Sequence, residues 1–397
     1  MRRRWPKVHW KEEGMRDGMQ IEDASISVKD KVRLLDALSE TGLKHIVVGS
    51  FVSPKWTPQM ARIDEIVQRF RPKSGVKYTA LALNQRGIER AMQYCPPLSI
   101  EADPYPRLLC HACDVFVRRN ANRSQAQEME RWPGIVASAR ERGLSEAGIG
   151  VYAPWGSNFL GPFPVDTVMT LLEMQHRMWD EAGLRVVSVD FADPMSFCMP
   201  HKVEETLVRI KQRWPAITHF KLHFHNARGM AVPSIYAALR ALGPEDTVEI
   251  EGAIGGMGGC PYCGNGRAAG MAPTEDVMHM LEDMGIETGV DMGRLIECVW
   301  LAEEIVGHPL YGRVSKAGPM PRRMDEMYDQ GMPFVETPEQ AKHFRLGPGV
   351  YRGGLSPWKE PIDSPYLERL RAGLPPYDPP GGTFPWKQPW FGVRDRA

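Results

Sequence analysis

The stretch VDTVMTLLEMQHRMWDEAGLRVVSV, residues 165–189, holds one full repeat of the fold. Val165 to Ala182 is a long helical segment. Gly183 falls where that helix should stop, as a residue that accepts the left-handed backbone of a helix C-cap. Arg185 to Val189 is then a short, valine-rich run of strand type. A helix feeding directly into a buried strand is the unit of a parallel α/β architecture.

The same alternation extends in both directions. Strands are expected at Lys7 to Trp10, His45 to Val48, Lys77 to Leu83, Asp114 to Val117, Ile149 to Ala153, Arg185 to Val189, His219 to Phe224 and Thr247 to Glu251. The clearest helix is Ser27 to Thr41, where Val28, Val32, Leu35 and Leu38 recur at helical spacing; Pro233 to Leu242 is another, and Gly42 and Gly243 stand at the two stops. Eight strand–helix repeats favour a closed α/β barrel, the TIM (β/α)8 barrel, over an open doubly wound sheet. Strand order is not written in the pattern, so the open sheet stays as the alternative. The barrel is expected over residues 1–310. Beyond it, residues 311–397 hold fourteen of the 34 prolines together with Trp358, Trp386 and Trp390, which reads as an extended tail packing on the barrel or on a neighbouring subunit.

Lys+Arg and Asp+Glu each number 49 in the 397 residues, so no overall field draws the chain to nucleic acid or to an anionic membrane. A small-molecule partner is expected instead. No apolar run approaches the roughly 18 residues that cross a bilayer. Arg2, Arg3 and Arg4 are not followed by the apolar stretch of a secretory signal, so a cytoplasmic location is expected. Seven cysteines in so long a chain do not make a disulfide framework, and reduced thiols are expected. Barrel enzymes often pair, and a homo-oligomer is expected here.

In such barrels chemistry collects at the C-terminal ends of the strands. Arg16-Asp17 follows the first strand; a carboxylate beside a guanidinium suits a metal ligand next to a stabiliser of developing negative charge, and equally an ordinary surface pair. His223-Phe224-His225 ends the seventh strand. Residues two apart on a strand point the same way, so both imidazoles can grip one ion, while Phe220, Leu222 and Phe224 form the opposite, apolar face. After the eighth strand, glycines surround Cys260, a thiol that a mobile loop can carry to a substrate. Asp193 follows the sixth strand, either orienting a histidine or substrate hydroxyl or capping the next helix. Two CxxC pairs, Cys110/Cys113 and Cys260/Cys263, invite a structural zinc reading. The first pair is placed before strand four and the second after strand eight, at opposite ends of the barrel, which argues against it.

Taken together, these residues resemble the metal-dependent carbon–carbon lyases and condensing enzymes of the hydroxymethylglutaryl-CoA lyase and isopropylmalate synthase superfamily. The likeness runs from about Lys7 to Ile305. Its most specific pieces are Arg16-Asp17-Gly18-Met19-Gln20, the block from Ser50 to Trp56, His223-Phe224-His225-Asn226, Gly258-Gly259-Cys260-Pro261-Tyr262 and Thr274-Glu275-Asp276. The resemblance implies metal ligation by Asp17, His223 and His225, enolate stabilisation by Arg16, proton transfer by Cys260, an acidic role for Asp193, and substrate contacts at Gln20, Ser50 and Asn226. Three positions depart from the family pattern. Met271 stands where the loop asparagine ligand is usual, leaving Asn265 or water to take its place; Val47 replaces a glutamate at the end of strand two; Asp23 lies near a position often basic in lyases that bind coenzyme A.

The expected activity is therefore cleavage of a 3-hydroxy acyl compound, with a CoA thioester as a candidate substrate, by a retro-Claisen or retro-aldol step that needs a divalent metal. Mg²⁺ or Mn²⁺ follows from the family pattern, with Co²⁺ or Zn²⁺ also suited to nitrogen and carboxylate ligands. The rivals are a synthase condensing an acyl-CoA with a 2-oxo acid, a non-haem iron oxygenase built on two histidines and a carboxylate, and a barrel that has lost catalysis.

Overall fold

The computed structural model describes residues 4–100, 105–264, 270–322, 324–362 and 364–375. Contact density divides the chain into two compact units, Met1–Ser315 and Lys316–Ala397.

Eight strands make one sheet in the first unit: β1 (Lys7–Glu12), β2 (His45–Ser50), β3 (Lys77–Leu81), β4 (Arg107–His111), β5 (Glu146–Tyr152), β6 (Arg185–Asp193), β7 (His219–Phe224) and β8 (Thr247–Gly252). Their order is β3-β2-β1-β8-β7-β6-β5-β4, and every pairing is parallel. The first and last strands are thus hydrogen-bonded neighbours over the whole length of β1, from Lys7 opposite Thr247 to Glu12 opposite Gly252. That pairing is the one a TIM barrel needs between its first and last strands, with β3 and β4 at the ends of the hydrogen-bonded order, and it disposes of the open doubly wound alternative, whose first and last strands would be apart. The all-parallel ladder also removes the antiparallel scaffold on which an iron oxygenase reading depends.

The expected helices form where their caps allow. Ser27 accepts a hydrogen bond from the Asp30 amide and starts Val28–Ser39; Val165–Glu181 and Ala231–Ala241 match the other two. Gly42 and Gly183 take φ of +90° and +79°, the left-handed conformation that ends a helix. Gly243 does not: its helix closes at Leu242 with extended backbone, so the expected left-handed cap is absent there.

One strand was misplaced by the sequence pattern. Asp114 to Val117 begins the helix Asp114–Ala121, and the fourth strand is Arg107–His111. The run Val115-Phe116-Val117 is apolar enough for a strand, but Cys113 caps it as a helix, its Sγ accepting from the Phe116 amide at 3.3 Å. A short apolar run is ambiguous between the two states, and the cap decides.

Strand side chains alternate between two environments. Phe220, Leu222 and Phe224 on β7, with Val248 and Ile250 on β8, point outward into the main hydrophobic core against the surrounding helices. The alternate positions point inward and are charged. Lys11 and Lys221 both reach Glu251 across strand boundaries, at 2.7 and 3.1 Å, and Arg107 pairs with Asp190. Among the described residues no helix is long and apolar enough to cross a membrane. In the second unit the described secondary structure consists of short helical turns, Pro365–Arg371 the longest; Trp358 is half-buried, and Trp386 and Trp390 lie outside the described residues.

Candidate active site

The chain leaves β1 through a single π-helical turn, Gly14–Gly18, that sets Arg16 and Asp17 at the C-terminal mouth. Gly14 fits closely there: a Cβ would meet Glu12 Oε1 at 2.6 Å and displace that carboxyl from its hydrogen bonds. That Glu12 oxygen accepts the amides of Gly14 and Ile254, each at 2.9 Å, and Oε2 accepts the Thr274 hydroxyl at 2.5 Å, so one buried carboxyl ties the first turn to the last loop. Burial pushes Glu12 up to about 7 against these hydrogen bonds.

Asp17 faces the two histidines of β7 and its end. His223 Nε2 lies 3.1 Å from His225 Nε2, 3.8 Å separates His223 Nε2 from Asp17 Oδ2, and 4.0 Å separates His225 Nε2 from Asp17 Oδ1. Donor atoms of the three residues all lie within 4.8 Å of one another, and no other such group occurs among the described residues. Asp17 is 4% exposed. Burial raises its pKa, but Arg16 and the two imidazoles outweigh that and hold it below the usual carboxylate range.

The donor set fits a divalent cation on two counts. Asp17 Oδ1 is buried with no hydrogen-bond partner, a costly state for an ionised oxygen unless something positive meets it. The 3.1 Å between the histidine nitrogens also matches two ligands about 2.1 Å from one ion at roughly a right angle. The other ring nitrogen of His223, Nδ1, is 2.7 Å from Glu251 Oε2, the carboxylate–histidine arrangement that fixes a ligating ring. Burial raises Glu251, but Lys11 and Lys221 outweigh it and keep the carboxyl well below its ordinary range.

Arg16 is held between two carboxylates: Nε donates to Glu13 Oε2 at 2.6 Å and Nη1 to Asp17 Oδ2 at 2.8 Å. The register of β1 on β2 sets Glu12 opposite Ile46. Neither Glu13 nor the Lys11–Glu251–Lys221 group stood out in the sequence. The available signal was charge at every second position of a buried strand, as in Lys221/His223 and Glu249/Glu251.

The cysteine loop folds over this mouth. Gly258 takes φ of +103°, and a Cβ there would meet the Asp17 carbonyl at 2.9 Å, so the loop lies directly on the β1 turn. Gln20 donates to the Gly259 carbonyl at 3.1 Å, which places Cys260, partly exposed, next in the chain. Asp193 is fully buried, accepting the Cys198 amide at 2.6 Å on Oδ2, with Oδ1 unpartnered; burial outweighs these hydrogen bonds and pushes it up to about 6. Ser50 is buried at the end of β2. Asn226 Oδ1 accepts the Ala231 amide at 3.0 Å and so holds the start of the following helix. Met271 pairs its backbone with His225 while its side chain sits in the hydrophobic core. Asn265 lies outside the described residues.

The two CxxC pairs require a correction. With β4 ending at His111, Cys110 and Cys113 flank its C-terminal end, the same mouth that carries Cys260 and Cys263, not the opposite one. What separates the first pair is strand alternation and the cap: Cys110 enters the main core, whereas Cys113 joins a smaller cluster with Phe116, Ala153, Met195 and Cys263.

Comparison with known proteins agrees with this geometry. The HMGL-like family profile matches residues 7–301. The 3-hydroxy-3-isohexenylglutaryl-CoA/hydroxymethylglutaryl-CoA lyase of Pseudomonas aeruginosa is 32% identical over 312 residues, covering 78% of this chain and 97% of that protein. The (R)-citramalyl-CoA lyase of Chloroflexus aurantiacus is 30% identical over 316 residues, covering 77% and 93%. The structure of an HMG-CoA lyase from Acinetobacter baumannii, in complex with coenzyme A and 3-methylmalate, superposes with a TM-score of 0.61 at 26% identity, over 80% of this chain and 95% of that one. A barrel closed by β1 on β8, a profile spanning nearly all of it and relatives aligned almost end to end make this chain a lyase of the HMGL-like family.

Proposed function

We propose that the protein is a divalent-metal-dependent carbon–carbon lyase that cleaves a 3-hydroxy acyl-CoA thioester by a retro-aldol or retro-Claisen step. The observation that carries this reading is the convergence of Asp17, His223 and His225 at the mouth of the barrel, with Arg16 bonded to the first of them. The thioester substrate class rests on the relatives, which are named for CoA thioesters and include a structure holding coenzyme A.

Asp17, His223 and His225 would hold the cation, which when bound would polarise the substrate hydroxyl and a neighbouring carbonyl. The chain's own groups do the rest. Glu251 accepts from His223 Nδ1 and so directs the Nε2 lone pair toward the site. Asp193, pushed up to about 6, is suited to orient the substrate hydroxyl and take its proton near neutral pH. As that O–H bond gives up its proton, the oxygen forms a carbonyl, the adjacent carbon–carbon bond breaks, and its electron pair passes into an enolate. Arg16, fixed by Glu13 and Asp17, faces that negative charge. Cys260 delivers its thiol proton to the carbanion carbon and is recharged from solvent.

Mn²⁺-supplemented enzyme should release acetyl-CoA or another acyl-CoA, with a carbonyl product, from at least one member of a panel of 3-hydroxy acyl-CoA thioesters followed by mass spectrometry. Turnover of free 3-hydroxy acids only would remove the thioester from the reading. Product formation only from acyl-CoA plus a 2-oxo acid would instead establish the condensing direction.

A further inference from the structure

We propose that Cys260 and Cys263 form a reversible thiol–disulfide site that, when closed, takes the Cys260 thiol out of the active-site loop. This rests on the reading of Cys260 as the proton donor.

The pair is preset by backbone. The Cys263 amide donates to the Cys260 carbonyl at 3.2 Å, closing a four-residue turn across Pro261 and Tyr262. Such a turn brings its outer Cα atoms within about 7 Å, and a disulfide needs about 4.4–6.8 Å. Three contacts from outside the turn hold it. Gln20 binds the Gly259 carbonyl, Arg119 Nε donates to the Tyr262 carbonyl at 2.7 Å, and Asn158 Nδ2 donates to the Cys263 carbonyl at 2.8 Å. Both thiols are free.

Their exposures assign the roles. Cys260 is partly open to solvent, whereas Cys263 is buried among Cys113, Phe116, Ala153 and Met195. A small oxidant reaches Cys260 first, and Cys263 resolves the product. With a low-molecular-weight disulfide such as glutathione disulfide, the Cys260 thiolate attacks one sulfur and expels the first glutathione thiolate. The Cys263 sulfur then attacks Cys260 Sγ, forming the Sγ–Sγ bond and expelling the second. The two cysteine protons leave with the two glutathione thiolates, so two protein thiols are oxidised and one disulfide is reduced. The closed form has no thiol at position 260 to protonate the carbanion.

The test uses the full-length metal-loaded enzyme in glutathione buffers of increasing oxidised fraction, with turnover assayed beside non-reducing peptide mass mapping. The expected result is a Cys260–Cys263 bond whose fraction equals the fraction of turnover lost, restored by dithiothreitol. Cys263→Ala should keep full turnover when reduced and show no internal bond, only a glutathione adduct on Cys260. The proposal is overturned if wild type yields only adducts, if Cys263 pairs with Cys113 instead, or if the Cys260–Cys263 bond forms with turnover undiminished. Reduced Cys260→Ser separates the two readings. Its full activity would sink the proton-donor role whether or not wild type forms the bond, and its loss of activity would uphold that role whichever way the redox titration falls.

Discussion

The two faces of strand β7 carry opposite chemistry. Phe220, Leu222 and Phe224 point outward and are buried against helices; Lys221 and His223 point inward and meet Glu251. Outward contacts are interchangeable in kind, because dispersion and water exclusion ask only for shape and volume. Inward contacts are specific in kind, because a buried charge is tolerable only when its partner and its geometry are both present. The lesson is that a period of two in one strand divides its work: one face supplies the stability that the other face uses to hold charges together at the mouth.

The largest expected effect comes from the inner face. Asp17→Ala should lower turnover by about a thousandfold or more, as loss of the proposed metal ligand and of the partner of Arg16 together. Elemental analysis should show lost metal while circular dichroism stays that of the folded barrel. Retained metal and activity would dissolve the contrast between the faces. Glu251→Gln should be next. It weakens the partner of His223 Nδ1 and leaves Lys11 and Lys221 under-compensated, and about a ten- to hundredfold loss in metal affinity or turnover is expected, read by metal titration and steady-state kinetics.

The outer face should respond in a different quantity. Leu222→Ala, one residue from His223, should cost about 2–5 kcal/mol of stability by denaturant unfolding, with turnover per folded molecule nearly kept. A matching collapse of turnover would show that the faces are not separable. A pH dependence of comparable size closes the series. Burial pushes Glu275 up to about 8, so between the ordinary carboxylate value and about 8 the folded state binds the proton that the unfolded state has lost. Stability should then fall as pH rises through that window, by at most about 1.4 kcal/mol per pH unit. Glu275→Gln, which can still accept from the Gly255 amide through its carbonyl oxygen, should remove its share of that slope in thermal unfolding, most visibly between pH 7 and 8, above the values of Glu12 and Asp193. An unchanged slope would place the proton elsewhere.

Much of this was legible in the chain. The helix–glycine–strand repeat around Val165 to Val189 specified parallel α/β units, and His223-x-His225 at a strand end gave two converging imidazoles from local geometry alone. The failures have the same local origin. Val115-Phe116-Val117 is apolar without a period long enough to separate strand from helix, and the error moved Cys110 and Cys113 to the wrong end of the barrel. Gly243 reads as a cap by position, yet it is engaged by a turn with Asp246, whose carboxylate accepts its amide and whose amide donates to its carbonyl, contacts the sequence does not display.

What the sequence determined by itself was therefore whatever depends on neighbours a few residues apart: element type wherever the period is long enough, the alternation of faces, the thiols of the Cys260 turn. Which distant groups became partners was left to the closed sheet. Asp17 meets histidines about two hundred positions away, and Glu12 stands opposite Ile46, because β1 pairs with both β2 and β8 and so fixes the level at which each side chain enters the lumen. Charge pairing in a buried space depends on ångström distances between strands, and only strand register sets those.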